Sequence, residues 1–344
     1  MTLSLYLDTD RWRTHQQSVL AEFPGLVPVA KGNGYGLGNH RLAEEATRLG
    51  TGILAVGTAY EAADAADWYG GELLVLTPYR VGEEVLPLPH ARVIRTVASA
   101  DALRALPGAR VVVECMTTMR RHGIGADELP VIAQLVESVS FEGLALHLPM
   151  DRPDGSDPVD EVAHWVEAAA AAGLSTRTVF VSHLGSAGMA RLAERFPATV
   201  FRARIGTRLW LGDHGALEVR GTVLDVTPVT KGDRYGYRQH PAPSDGHLLV
   251  VTGGTAHGIG LEAPKYVQGM SSRAKGIARA GLATVNKTKS PYQWAGKQLW
   301  FAEPPHMQVS ILFLPAETKP PVIGEELGLQ VRHTTTHFDR VVDR

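Results

Sequence analysis

The chain has 344 residues, 44% of them hydrophobic and 20% charged, with a net charge of −2. That is enough chain for two domains with a large core, and the near-neutral balance excludes nucleic-acid or membrane-surface binding driven by charge. A single cysteine, Cys115, excludes an internal disulfide and fits a reducing, cytoplasmic compartment.

The opening MTLSLYLDTDRW has no basic n-region and no long apolar core, so no signal peptide is read. No apolar run reaches the length of a membrane span. Apolar strand-like runs then recur at 27–30, 53–56, 73–76, 93–97, 111–115, 144–148, 179–181 and 200–203. Helical stretches rich in alanine, leucine and glutamate lie between most of them, at 40–49, 59–68, 126–137, 160–171 and 187–196. Such alternation predicts parallel strands with crossover helices. Eight strands fit a closed (β/α)8 barrel over residues 1–215 better than a doubly wound open sheet, the alternative. Beyond residue 216 the helical period fades. Short β-branched runs at 221–229, 247–252, 298–301 and 308–314, separated by Gly and Pro clusters, predict a C-terminal antiparallel β domain over 216–344.

The first of these runs ends in the stretch Val27-Pro-Val-Ala-Lys31-Gly-Asn-Gly-Tyr35-Gly-Leu-Gly38. A lysine at the end of a buried strand has a short leash and partly apolar walls, which lower its pKa and suit it to act as an amine nucleophile. The glycines let backbone N–H groups approach an anion closely, and Tyr35 can point a phenol at the same place. The plainer reading is a snorkelling lysine before a flexible turn. Active sites of such barrels lie at the C-terminal strand ends. There the sequence places Lys31, Glu114 followed by Arg121, His147, His183 with Ser186, and Arg204-Ile-Gly206-Thr207. One such residue means little, but their coincidence at one rim predicts a site. No metal-ligand set is read.

The lysine stretch resembles the pyridoxal-phosphate motif of alanine racemases, Val-Lys-Ala-Asn-Ala-Tyr-Gly-His-Gly. The likeness covers nearly the whole chain, strongly in the barrel and weakly beyond residue 230. It implies a barrel with a β domain, pyridoxal 5'-phosphate as cofactor with Lys31 as its Schiff-base lysine, and a phosphate contact from Tyr35. Met116-Thr-Thr-Met-Arg-Arg121-His-Gly123 resembles the family's Asp-Thr-Gly-Met-x-Arg-x-Gly, which makes Arg121 the clamp of a substrate carboxylate. By the same resemblance His147 packs near the pyridine ring and the Ser186 hydroxyl holds phosphate. Arg204 donates to the pyridine nitrogen, and the Gly206 and Thr207 amides hold phosphate. A guanidinium does not readily give up its proton, so that nitrogen stays unprotonated. The weaker electron sink that results favours a racemase-type site over a decarboxylase. The family also implies a small amino-acid substrate and a homodimer in which β-domain residues complete the partner's site.

The pattern breaks in the β domain. Where the family has Gly-Tyr-Ala-Asp-Gly, with the tyrosine as second base, this chain has Gly254-Thr255-Ala256-His257-Gly258. A threonine hydroxyl has no useful acidity near neutral pH. His257 titrates in the right range and is the candidate replacement, or it only closes a Gly-rich turn. Glu303-Pro-Pro-His306-Met307 stands where the family has a Met-Asp segment, and Glu114 stands where many members carry a carbamylated lysine. A glutamate keeps the negative charge and is expected to orient Arg121 at the substrate. Six basic residues at 265, 273, 275, 279, 287 and 289, with no acidic one between, form either a solvated loop face or the lining of an entry for an anionic or larger substrate. Three functions stay open: an amino-acid racemase-like isomerase, a pyridoxal-phosphate carrier or regulator without turnover, and one-base chemistry at the α-carbon such as elimination or transamination.

Overall fold

The computed structural model describes residues 2–84, 91–261 and 288–344. The chain divides into two compact units, Arg13–Gly212 and Met1–Trp12 with Asp213–Arg344. The basic run, apart from its last residue Lys289, lies outside the described residues.

The first unit holds eight parallel strands in a closed barrel, β2 (Val27–Ala30), β3 (Ile53–Val56), β4 (Glu72–Val75), β5 (Val93–Val97), β6 (Arg110–Cys115), β7 (Ser140–His147), β8 (Thr178–Ser182) and β9 (Val200–Ile205). The ring closes where Val27 pairs with Arg204 and Pro28 with Ile205. Strands such as β2 and β3 are buried on both faces, which is why they read as continuous apolar runs. Alternate residues, including Val27, Val29, Ile53, Ala55, Val112, Ala145 and Phe180, pack together as the lumen. The residues between them, such as Val111, Val113, Leu144, Leu146, Val179 and Val181, pack outward on helical side chains including Leu103, Ile132, Val162 and Leu192. In chain order the helices are α1 (Thr9–Glu22), α2 (Asn39–Arg48), α3 (Ala59–Ala65), α4 (Ala100–Arg104), α5 (Leu129–Leu135), α6 (Pro158–Ala171), α7 (Ser186–Arg195) and α8 (Thr207–Leu211). Capping fixes several of their starts. Thr58 and Glu61 form a reciprocal capping box at α3, and Asp157 accepts from the Val159 N–H with Pro158 at the first turn of α6.

The second unit is built on one sheet. Its strands are β1 (Leu3–Leu7), β10 (Leu217–Val229), β13 (Gly246–Thr252), β14 (Lys289–Trp294), β15 (Lys297–Phe301), β16 (Val309–Pro315), β17 (Glu326–Leu329) and β18 (Arg340–Asp343). A separate two-stranded ribbon joins β11 (Arg234–Tyr235) to β12 (His240–Pro241). All pairs are antiparallel except β1 with β18. Bulged between Val223 and Asp225, the 13-residue β10 pairs with β17 and β1 and again with β13, so the sheet curls back on itself.

One boundary differs from the sequence reading. Residues 1–12 belong with the C-terminal sheet and not with the barrel to which the span 1–215 assigned them. Leu3, Leu5 and Leu7 are fully buried, and their strand pairs antiparallel with β10 from Leu3 opposite Gly221 to Leu7 opposite Leu217. The pattern Leu-Ser-Leu-Tyr-Leu alternates, unlike the continuous runs of the barrel. That is the local mark of an antiparallel strand. No helix among the described residues is long and apolar enough to cross a membrane.

Candidate active site

Lys31 is the first residue after β2, and the chain turns at once into a loop closed by the Gly34 N–H donating to the Lys31 carbonyl at 3.1 Å. Its side chain keeps access to solvent, yet partial burial and the charges of Arg121 and Arg204 lower the amine's pKa against an opposing pull from Glu61. The sequence expectation of a softened lysine is met in direction, and two arginines contribute that the strand end alone did not predict.

Arg204, on β9, is 6% exposed. One terminal nitrogen lies 3.6 Å from Glu114 and the other donates to the Leu146 carbonyl at 2.9 Å. Its Nε is buried with no acceptor among the described residues. The nearest cation to the Glu114 carboxylate is therefore Arg204, and no hydrogen bond or ion pair joins Glu114 to Arg121 among the described residues. Burial at the foot of the barrel mouth leaves Glu114 to hold Arg204 in place. Its own carboxyl is pushed up by that burial, against the pull of Arg204 and Arg121.

Arg121 is exposed on a loop that leaves β6 and returns to it. The loop's base is sewn by the Ile124 N–H to the Glu114 carbonyl and the Met116 N–H to the Ile124 carbonyl, each 2.9 Å. Gly123 makes that return possible. It sits at φ 134°, where a Cβ would fall 2.3 Å from the Cys115 carbonyl carbon. Farther along, the Thr117 hydroxyl donates to the His147 carbonyl at 2.6 Å, and Glu161, paired with Arg152, accepts from the Thr118 N–H at 2.6 Å. The arginine is thus presented by a fastened loop.

His147 ends β7 and meets His183 edge-on, with ring centroids 5.0 Å apart. Burial, then Arg121, Arg204, His183 and Lys31, press its pKa down to about 3, so the ring is neutral at neutral pH. His183 is also shifted down, by burial and the same three cations. It follows β8 with φ 61°, a left-handed conformation unusual for a residue with a side chain. The sequence reading gave His183 no role, because that strain is not visible in composition or spacing.

Tyr35 is buried at 6% exposure, also left-handed at φ 57°, and burial raises its phenol to about 12. The Gly206 backbone lies directly against it. A Cβ on Gly206 would sit 1.9 Å from the Tyr35 hydroxyl. We expect Gly206→Ala to destabilise the fold by about 1–3 kcal/mol through this overlap, read as a lowered midpoint in denaturant. An unchanged midpoint would mean that Tyr35 has room to move. Ser186 opens α7, but its hydroxyl donates to Glu22 at 2.9 Å, and Glu22 is also held by Arg208. Thr207 is exposed at the start of α8.

His257 departs furthest from the role considered for it. The ring is buried, its Nδ1 accepts from the Gly254 N–H, and its Nε2 lies 3.2 Å from Asp339. Both nitrogens are engaged, so His257 closes the Gly254 turn and is not a free base. Thr255 beside it is exposed. The N–H groups of Thr255 and Ala256 donate to the His306 and Met307 carbonyls at 2.8 and 3.0 Å. The two segments that depart from the family pattern therefore touch. Glu303 is buried there and pairs with His306 at 2.6 Å. Among the described residues no group of three or more His, Cys, Asp or Glu could hold a metal ion.

The family model described as Alanine racemase, N-terminal domain, matches residues 8–213. No curated protein matches the chain. The structure of alanine racemase from Bartonella henselae with covalently bound pyridoxal phosphate is similar at TM-score 0.71 and 17% identity, covering 97% of this chain and 91% of that one. Alanine racemase from E. faecalis gives TM-score 0.71 at 18% identity, with 99% and 98% covered. The enzyme from Oenococcus oeni gives 0.66 at 19%, with 95% and 88% covered. At such identities the likeness speaks for the fold.

Proposed function

The chain belongs to the alanine racemase family, and on that premise we propose that it is a pyridoxal-phosphate-dependent isomerase acting at the α-carbon of a small amino acid. The observation that carries this reading is the buried, acceptor-less Nε of Arg204 close to an amine of lowered pKa. A buried donor without a partner is costly, and a pyridine nitrogen is the kind of acceptor that satisfies it.

In this reading Lys31 would hold the cofactor covalently and Arg204 would donate to its ring nitrogen. Tyr35 and the Gly206 and Thr207 amides would hold its phosphate, and His147 would lie near the ring. Ser186 contributes its hydroxyl only by releasing Glu22. Pyridoxal phosphate, when bound, supplies an electron sink conjugated to the substrate α-carbon. Arg204 keeps its own proton and so protonates nothing. Glu114 and the Leu146 carbonyl hold the guanidinium in that orientation. The Lys31 amine, once free, removes and returns the α-proton. Arg121 grips the substrate carboxylate from its fastened loop. The family resemblance further supports a cytoplasmic homodimer.

Arg121→Ala is expected to weaken amino-acid binding by about 10- to 100-fold, the loss of one charge-assisted pair, while the cofactor's visible band stays intact. Loss of the band as well would assign Arg121 a structural role. A screen of amino acids for α-proton exchange in heavy water tests the whole reading. Exchange with none of them would favour the second reading, a pyridoxal-phosphate-binding protein without racemase turnover. Engaged His257 and exposed Thr255 favour that alternative.

A further inference from the structure

The backbone after Lys31 is held from outside its own loop. The Gly32 N–H donates to Glu61 Oε1 at 2.6 Å, and the Gly32 carbonyl accepts from the Asn39 side-chain amide at 3.0 Å. Glu61 lies in the first turn of α3, one strand along the barrel. Its second oxygen, Oε2, accepts from the Thr58 N–H at 2.9 Å. A single carboxylate therefore bridges the loop that starts at Lys31 and the start of the next helix. Gly57 lies between them, where a Cβ would sit 3.1 Å from the Lys31 Cβ and 2.4 Å from Glu61 Oε2. Only glycine leaves room for the lysine and the carboxylate together.

Around Lys31 the charges of Arg121 and Arg204 act to deprotonate the amine, and the neutral rings of His147 and His183 lie within reach of its charge. Glu61 is the negative group that opposes them. An ordinary capping glutamate would reach only its own N-cap backbone. This one reaches across to the peptide of the lysine.

We propose that Glu61 is the positioning residue of Lys31, fixing the peptide that follows the lysine and setting a carboxylate beside it. The inference goes beyond the reading of Lys31 as the cofactor-bearing lysine and can be tested without cofactor.

The test is competitive acylation of the full-length protein with acetic anhydride, after any bound aldehyde is stripped with hydroxylamine. Mass spectrometry reads the fraction of Lys31 modified against pH. Glu61→Gln keeps an acceptor for an amide N–H and removes the charge. Its Lys31 labelling profile should move toward acid, with more free amine at neutral pH than in the parent. The thermal midpoint should fall slightly, because glutamine has one acceptor oxygen for the two N–H groups that Glu61 serves. Glu61→Ala should show the same shift and, in addition, slower uptake of pyridoxal phosphate. A profile that does not move in either variant, with Lys31 still labelled, would overturn the proposal. A shift in a protein that never takes up pyridoxal phosphate would uphold it while sinking the cofactor reading.

Discussion

Lys31→Ala is expected to abolish covalent retention of pyridoxal phosphate and with it any α-proton exchange. Among the described residues Lys31 is the amine at this rim, and its neighbours Arg121 and Arg204 are guanidiniums that cannot form the link at ordinary pH. Its lowered pKa places the free amine at a lower pH than an ordinary lysine allows. Attachment by the native protein should therefore rise and level off on the acid side of the usual lysine range. Removing a positioned base typically costs roughly 10²–10⁴ in rate, and here the covalent anchor goes too. Borohydride reduction followed by peptide mapping checks both statements. The native protein should carry the reduced label on Lys31, and the variant should carry none and show no visible band. A label of full stoichiometry on another lysine in the variant would overturn the assignment.

The barrel was legible because most of its strand residues are buried and apolar on both faces. A run such as Val111–Cys115 declares itself without any knowledge of its partners. β1 escaped because the alternation of Leu-Ser-Leu-Tyr-Leu marks an antiparallel strand without naming the partner it joins. That was settled by Gly221 and the strand around it, more than two hundred residues away. The site followed the same rule. Positions at strand ends could be read in order, since topology puts Lys31, Glu114, His147 and Arg204 on one rim. Their pairings could not. Glu114 meets Arg204 and not Arg121 because β6 and β9 turn those side chains into one buried volume. Glu61 reads as a helix cap in sequence, and only the packing of α3 beside the Lys31 loop reveals its second hydrogen bond. His183 and Tyr35 carry strained backbones that no sequence pattern announces.

The departures in the β domain lead to the second large effect. Racemisation needs a proton-transfer group on each face of the planar α-carbon, and in the proposed function Lys31 would serve one. On the other, the family position is Thr255, whose hydroxyl does not ionise near neutral pH. His257, two residues on, has its nitrogens committed to Gly254 and Asp339. Alanine racemisation is therefore expected to run roughly a hundredfold to ten-thousandfold below a two-base site. Exchange of the α-proton in heavy water should be confined to one enantiomer. Thr255→Tyr should raise racemisation and bring exchange of the second enantiomer with it. His257→Ala should leave one-sided exchange in place. Its cost should appear in stability, about 1–3 kcal/mol for the orphaned Gly254 N–H and the lost Asp339 contact. His183 is the competing candidate, since its neutral imidazole lies at the rim within electrostatic reach of Lys31. If it is the second base, both enantiomers exchange at comparable rates in the native protein and His183→Asn, which tolerates the left-handed backbone, removes one of them. Fast exchange of both enantiomers that survives His257→Ala and His183→Asn would defeat both accounts and require a base from another part of the chain.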